Sequence, residues 1–190
     1  MKKTLLVFSC IVLSLITFSQ KLDSTALILI DIQDFYFPGG KVELVDSEKA
    51  GEKAKKLLSY FRENSGLVVH IRHNFKPGGE IHKLVKPIEG EKVISKNEIN
   101  AFLETDLDEY LKSNNIKNIV LVGMQTHMCL EGGTRAAHDL GYSCTVIHDA
   151  CATRDLKFGD TIIKAADVHA STLNTLKSYA EVVNLEEYLK

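Results

Sequence analysis

Proline is scarce in this sequence, with three Pro beside twelve Gly in 190 residues. These residues form no collagen-like or low-complexity tract, and no internal period of about 20 to 50 residues recurs, which excludes a solenoid or a propeller. Basic charge is not in excess, because 23 Lys and Arg stand against 25 Asp and Glu, a net charge of −2. No basic stripe with interleaved aromatic side chains is present to neutralise a phosphate backbone. We therefore expect no nucleic-acid partner.

The composition is that of one soluble globular domain. Hydrophobic residues make up 45% of the chain and charged residues 25%, close to the averages for folded proteins. A length of 190 residues is usual for a single domain. No linker-like stretch divides the chain, so we predict one folded unit.

The N-terminal sequence has the features of a secretory leader. Two lysines precede an apolar run over residues 5–18, and small or polar residues follow. This run is shorter than the roughly 20 residues that span a membrane, so we expect cleavage and no membrane contact after processing. The prediction is a signal peptide over residues 1–19, a folded domain over residues 20–190, and export to the periplasm or beyond the cell. A lipoprotein acylated at Cys10 is the alternative.

Cysteine is also scarce once the leader is removed. Three thiols remain, at Cys129, Cys144 and Cys151. An odd number leaves at least one thiol unpaired, and the sequence does not decide which one. A mature chain of this size can fold on a hydrophobic core, so we expect no disulfide framework.

Strand and helix patterns alternate along the mature chain. Continuous apolar runs predict buried strands at 26–30, 67–71, 119–122, 143–147 and 180–183. Helical periodicity predicts helices at 47–63, 103–111, 129–140 and 161–176. Residues 74–92 are predicted to form a long loop. Parallel strands need crossover connections, so this alternation predicts a single doubly wound α/β domain with a mostly parallel sheet flanked by helices.

Ligands in such folds bind beyond the carboxyl ends of the strands. A ligand site is therefore expected at the positions that follow predicted strands, which are Asp31, the segment after Val122, and Asp149. Cys129 is predicted to lie at a helix start, where backbone amides and the helix dipole favour a thiolate. A small buried apolar role for Cys129 stays open, and Lys96 alone looks like a solvated surface lysine.

Several ordered segments resemble a known family. They are Asp31-Ile-Gln33 with Phe37-Pro-Gly-Gly40, Lys96 ahead of Asn100-Ala-Phe102, Gly123-Met-Gln-Thr-His-Met-Cys129, Thr134-Arg-Ala-Ala137 and Asp149-Ala-Cys-Ala-Thr153. Together they resemble the isochorismatase-like cysteine hydrolases, the superfamily of nicotinamidases, ureidoacrylate-type amidohydrolases and isochorismatases. The resemblance spans the mature chain.

The resemblance implies a catalytic triad. In it Cys129 is the nucleophile, Asp31 the base that takes its proton, and Lys96 the cation that lowers its pKa. The family also implies a non-proline cis peptide at Met124-Gln125, which would turn the Gln125 amide toward an oxyanion hole shared with the Cys129 amide. The implied reaction cleaves the C–N bond of a small amide through a thioester that water releases, without a cofactor.

The residues around this triad suggest a substrate pocket and an assembly. We expect Gln33, Tyr36, Phe37 and His127 to contact the substrate, with the aromatic side chains forming either an apolar wall or part of the core. We also expect a homo-oligomer. Two alternatives remain: an isochorismatase-type vinyl ether hydrolase, which lacks a cysteine nucleophile, and a catalytically inactive binding or assembly subunit of the same fold.

A metal is not expected. Nicotinamidases carry an Asp-x-His element for a metal, and none occurs between Val69 and Lys96. His70, His73 and His82 remain candidate ligands. His70 and His73 are three positions apart on a predicted strand and point to opposite faces, so they chelate together only if the chain turns between them.

Overall fold

A six-stranded, entirely parallel sheet forms the centre of the molecule, in the order β3-β2-β1-β4-β5-β8. The computed structural model describes residues 22–190, so the predicted leader and Cys10 lie outside the described residues. The strands of the sheet are β1 (Thr25–Ile30), β2 (Leu67–His73), β3 (Lys92–Lys96), β4 (Asn118–Met124), β5 (Ser143–Ala152) and β8 (Glu181–Val183). β6 (Leu156–Phe158) and β7 (Thr161–Ile163) form a separate antiparallel hairpin.

Helices cover both faces of the sheet. They are α1 (Ser47–Glu63), α2 (Leu107–Ser113), α3 (Glu131–Asp139), α4 (Ala165–Leu176) and α5 (Leu185–Tyr188). The core on one face takes buried side chains from α1 and α5, and the core on the other takes them from α2, α3 and α4. In β1, Leu27 and Leu29 face the first core while Ala26, Ile28 and Ile30 face the second. A strand buried on both sides explains the unbroken apolar run, and the predicted doubly wound architecture is confirmed.

Three element boundaries differ from the sequence prediction by four residues or more. The helix predicted at 161–176 begins only at Ala165, because residues 161–163 form β7. The helix predicted from residue 103 begins at Leu107, and β5 continues to Ala152. Asp149 therefore lies within a strand, where its carboxylate accepts from the Leu185 N–H and pairs with Lys53 at 2.9 Å. Its role is to join β5 to α5 and α1.

The sequence did not predict β3, the β6–β7 hairpin or the short helix α5. β3 is an edge strand in which Ile94 is buried and Val93 is 42% exposed, so it has no continuous apolar run. The β6–β7 hairpin exposes its large apolar side chains, with Phe158 82% exposed and Ile162 58% exposed. Neither pattern resembles a buried strand. Across residues 22–190, none of the helices has the length and apolar character needed to cross a membrane.

Candidate active site

Four neighbouring strands end at one edge of the sheet, and each contributes a polar side chain there. Asp31 follows β1, His73 ends β2, Lys96 ends β3 and pairs in register with His73, and Cys129 follows β4. β1 lies between β2 and β4, where connections leave in opposite directions, and this is where doubly wound sheets bind ligands. Residues far apart in sequence are therefore brought together by the topology.

The Lys96 ammonium lies at the centre of this cluster. Its Nζ lies 2.8 Å from Asp31 Oδ2 and 3.3 Å from Cys129 Sγ. It also donates to the Glu98 carbonyl at 3.0 Å and lies 3.3 Å from His73 Nδ1. The Lys96 and Asp31 side chains are both 0% exposed. A buried lysine of this kind is stabilised only by such partners, so its sequence reading as a surface lysine is wrong.

Asp31 is a buried carboxylate whose charge is balanced by Lys96. Its backbone is left-handed, with φ 51°, which ends β1 at this residue. Burial raises the pKa of Asp31, and the Lys96 charge and hydrogen bond offset that effect only in part. The Cys129 thiol is the other side chain that hydrogen-bonds to Asp31. Asp31 is therefore a stronger base than an exposed carboxylate.

The Cys129 thiol is protonated in the free protein. Burial, and next the negative charge of Asp31, raise the pKa of Cys129 to about 12, and Lys96 lowers it only in part. The expectation of a thiolate stabilised by Lys96 and a helix terminus is wrong for this state, because the ammonium is shared with a carboxylate. Cys129 also precedes the α-helix: it lies in a π-helical turn, Thr126–Leu130, and α3 begins at Glu131.

The chain between β4 and Cys129 has an unusual backbone. The Met124-Gln125 peptide is cis, in agreement with the resemblance. Gly123, just before it, has φ 135°, and a Cβ there would lie 1.9 Å from the Ile30 carbonyl oxygen. Only glycine allows β4 to approach β1 so closely at this point. The Met128 N–H then donates to the Gln125 carbonyl at 3.0 Å and starts the turn that carries Cys129.

A second layer of polar side chains surrounds this turn. Gln125 donates from Nε2 to the Tyr36 hydroxyl at 3.3 Å and accepts from Arg154 Nε at 3.0 Å. Thr126 Oγ1 lies 2.9 Å from His169 Nδ1. Side-chain hydrogen bonds thus hold Gln125 and Thr126, the two residues that follow Met124 at the cis peptide. Sequence reasoning placed neither Arg154 nor His169 in the site.

Tyr36 lies near the Cys129 thiol, and His127 lies in the turn that carries it. His127 Nδ1 is 2.6 Å from Thr153 Oγ1, and burial, then the Arg154 charge, lowers the pKa of His127. Burial raises the pKa of Tyr36, and the charges of Asp31 and Cys129 raise it further. Both side chains therefore lie within electrostatic reach of the cluster or of Arg154. Their contact with a substrate stays a prediction.

Gln33 and Phe37 lie where they support the site. Gln33 donates to the Gly79 carbonyl at 2.7 Å and the His73 carbonyl at 3.0 Å, and accepts from the His73 N–H at 2.8 Å. Its amide is therefore occupied by backbone groups. Phe37 is 3% exposed and stacks on His82 with ring centroids 3.5 Å apart. Both residues therefore position the loop after β1, and the substrate contact expected of them from the sequence stays a prediction.

The three candidate histidine ligands do not converge. His70 Nε2 lies 2.9 Å from Glu91 Oε2, and His82 Nδ1 accepts from the Leu84 N–H. Only His73 reaches the cluster, where it can join Asp31 and Cys129. The three described cysteines are unpaired and buried, in keeping with the absence of a disulfide framework.

Comparison with known proteins identifies the family. A model of the isochorismatase domain matches residues 25–187. The isochorismatase family protein YddQ of Bacillus subtilis is 42% identical over 179 residues, which cover 88% of this chain and 99% of that protein. The chain belongs to the isochorismatase family. It is therefore a hydrolase of that family, and the resemblance inferred from its motifs is confirmed.

Two further relatives extend this comparison. An isochorismatase hydrolase homologue from Oleispira antarctica has a crystal structure with a TM-score of 0.84 and 46% identity, covering 87% of this chain and 96% of that one. The maleamate amidohydrolase of Pseudomonas putida is 26% identical over 176 residues, 73% of this chain and 83% of that protein. Amide hydrolysis thus occurs among the relatives of this isochorismatase-family protein.

Proposed function

We propose that this protein hydrolyses the C–N bond of a small amide, with Cys129 as the nucleophile. The observation that carries the proposal is the buried Lys96 ammonium, which joins the Asp31 carboxylate at 2.8 Å and the Cys129 sulfur at 3.3 Å. Nucleophile, base and cation are thus in one cluster at the carboxyl edge of the sheet. The amidohydrolase among the relatives supports the same reaction class.

The first step forms a thioester. Cys129 sulfur attacks the amide carbonyl carbon while its proton passes to Asp31, whose raised pKa suits it to receive that proton. Lys96 then faces the developing negative charge. The Gln125 and Cys129 backbone amides stabilise the tetrahedral oxyanion. Asp31 returns the proton to the leaving nitrogen, and the amine or ammonia departs.

The second step releases the acid. Water attacks the thioester carbonyl and gives a proton to Asp31. The C–S bond breaks, Asp31 returns that proton to the Cys129 sulfur, and a carboxylic acid leaves. The neutral thiol and the Lys96–Asp31 ion pair are restored. Because the thiol begins and ends protonated, its high pKa is compatible with the cycle.

The rim of the site favours an anionic substrate. Arg154 is exposed and donates one N–H to Gln125. Asp155, its neighbour in sequence, is paired with Lys164 at 2.8 Å and accepts from the Ala165 N–H at 2.8 Å. The Arg154 charge is therefore left available beside the cis peptide, and guanidinium groups bind carboxylates well. We propose a small amide that also bears a carboxylate.

The alternatives kept from the sequence receive less support. A vinyl ether hydrolase of this family needs no cysteine nucleophile, whereas Cys129 here is held within 3.3 Å of a buried lysine. An inactive subunit has no requirement for a buried ion pair that is costly to desolvate. A vinyl ether hydrolase would keep its turnover when the thiol is removed, and an inactive subunit would show no turnover at all.

The test is an ammonia-release screen over small primary amides and ureides, with and without a carboxylate. Wild-type protein is compared with Cys129→Ala and with Cys144→Ala, a matched loss of a buried thiol outside the cluster. We expect turnover in the wild type and Cys144→Ala only, with an acyl adduct on Cys129 detected by mass spectrometry. Equal turnover in Cys129→Ala would exclude the covalent path.

We also propose that the protein acts after export, on the basis of the leader-like residues 1–19. The expected N-terminus of the exported protein is Gln20. N-terminal sequencing of protein from separated cell fractions measures this. Recovery of the unprocessed chain in the cytoplasm alone would contradict it, and a lipid-modified Cys10 would establish the lipoprotein alternative.

A further inference from the structure

His73 belongs to the buried cluster, yet the proposed reaction gives it no proton to move and no group to bind. One atom each from Asp31, His73 and Cys129 lies within 4.8 Å of the other two. These atoms are a carboxylate oxygen, an imidazole nitrogen and a sulfur. That is a donor set for Zn²⁺, which binds all three ligand types and commonly keeps its fourth position open.

A second, independent observation points to a cation at the same place. The Asp31 side chain is 0% exposed, and its side-chain partners are the Lys96 ammonium and the Cys129 thiol. A buried carboxylate is costly unless a cation lies beside it. A metal ion would balance the Asp31 charge in place of the ammonium.

The Lys96 ammonium occupies the position that a metal would take. Its Nζ lies 2.8 Å from Asp31 Oδ2 and 3.3 Å from both His73 Nδ1 and Cys129 Sγ. The fold therefore already holds one positive charge among the three donors. A metal must displace that charge, and the Glu98 carbonyl, at 3.0 Å from Nζ, is a partner that Lys96 can keep as it moves.

We propose that Asp31, His73 and Cys129 form a binding site for a thiophilic divalent cation such as Zn²⁺, which competes with the Lys96 ammonium and blocks the nucleophile. On binding, the Cys129 S–H bond breaks, its proton goes to solvent, and the sulfur electron pair forms the bond to the metal. Tetrahedral zinc holds its ligand atoms roughly 3 to 4 Å apart, so the three donors draw together by about 1 Å. The metal-bound form lacks both a free thiol and a free base.

The inference does not depend on the amide reaction, because binding is measured with Zn²⁺ alone. Purified mature protein is titrated with Zn²⁺ under reducing conditions, bound metal is counted by elemental analysis, and Co²⁺ is used to detect sulfur-to-metal charge-transfer absorption. We expect one ion per chain in the wild type. Cys129→Ser removes the charge-transfer band.

Two substitutions give the decisive results. His73→Gln is expected to weaken Zn²⁺ binding by about tenfold or more, while His138→Gln, the same change at an exposed histidine, leaves it unchanged. Lys96→Met, which keeps an unbranched side chain up to the Cε position and removes the charged Nζ, is expected to bind Zn²⁺ at least about tenfold more tightly than the wild type because the competing cation is gone. Thermal melts identify variants that fold.

Each result decides the proposal. Stoichiometric binding that is weakened by His73→Gln and strengthened by Lys96→Met supports it. A wild type that binds no Zn²⁺, or a His73→Gln variant that binds as tightly as His138→Gln, overturns it. If Lys96→Met does not fold, the comparison of the two histidine variants decides the question alone.

Discussion

Replacing Asp31 by asparagine tests the protonation state of the nucleophile, because we expect this one change to make Cys129 more reactive and the enzyme less active. Burial and the Asp31 charge raise the pKa of Cys129 from 9.0 to about 12. At pH 7 about one thiol in 100,000 is then ionised, against about one in 100 for an ordinary cysteine. The wild-type thiol should therefore react about a thousandfold more slowly with iodoacetamide than an ordinary cysteine.

Asp31→Asn removes one of the two causes of that high pKa. Lys96 loses its carboxylate partner at 2.8 Å but stays 3.3 Å from the sulfur, so its charge becomes available to a thiolate. We expect alkylation of Cys129 at pH 7 to rise at least about tenfold, equal to a fall of about one pKa unit. Turnover should nevertheless fall by about 10² to 10⁴, because asparagine cannot accept the proton.

The assay is mass mapping of iodoacetamide adducts against time, with Cys144 and Cys151 as internal references. Burial raises the pKa of these two thiols to about 11 and about 12, respectively. The reference rates should not change in Asp31→Asn. Rapid alkylation of wild-type Cys129 at pH 7, or slower alkylation in Asp31→Asn, would refute a protonated resting thiol.

Three further predictions concern the triad, the rim and a buried ion pair. Amide hydrolysis should be abolished, without unfolding, in each of three variants: Asp31→Asn, Lys96→Ala and Cys129→Ala. Because the three groups act as one unit, the triple variant should be little worse than Cys129→Ala in kcat/KM. Additive losses would contradict this. The ratio of the Cys129 alkylation rate with iodoacetate to that with iodoacetamide should fall about threefold to tenfold in Arg154→Gln, as expected for the loss of one nearby charge. Lys157→Gln, on the exposed hairpin, should not change this ratio. Equal ratios in both variants would show that Arg154 does not bind the substrate. Burial alone would raise the pKa of Glu91, but hydrogen bonds from Arg62, Ile88 and His70 outweigh burial and lower it from 4.5 to about 2. Glu91→Gln should then lose about 3 kcal/mol of unfolding free energy near pH 7, and the difference should shrink as the pH falls from 4.5 toward 2; a difference that is independent of pH in denaturant titrations would show that the ion pair does not stabilise the fold.

The central sheet could be predicted because its strands are buried on both faces. β1 and β4 are apolar throughout, so their sequences stand out without any knowledge of their neighbours. β3 could not be predicted, because an edge strand buries only alternate residues and one of these is Lys96. The β6–β7 hairpin escaped for a related reason: its apolar side chains face solvent, and β7 continues directly into a helical pattern.

The members of the candidate site could be found from motifs, but their electrostatics could not. The motifs located Asp31, Lys96 and Cys129, yet the sequence suggested that Lys96 serves the thiol, when it is 2.8 Å from the carboxylate and 3.3 Å from the sulfur. Sulfur is larger than oxygen, so both distances are direct contacts, and burial of all three groups together with their ordinary acidities decides which of them carries the charge. A cation shared between two anionic sites stabilises the more acidic one first, and a carboxylate is more acidic than a thiol.

The same reasoning explains why the sequence could not separate His73 from His70 and His82 as a candidate ligand. A histidine at the end of a strand has no local feature that separates a metal ligand from a packed side chain, because its partners come from β1, β3 and the turn after β4. Only the register of β2 against β3 sets His73 beside Lys96, and only the parallel order of four strands sets both beside Asp31 and Cys129. The protonated thiol, the shared ammonium and the proposed zinc site therefore follow from one arrangement. In it, donor atoms of Asp31, His73 and Cys129 surround the Lys96 ammonium, which is the cation that they hold.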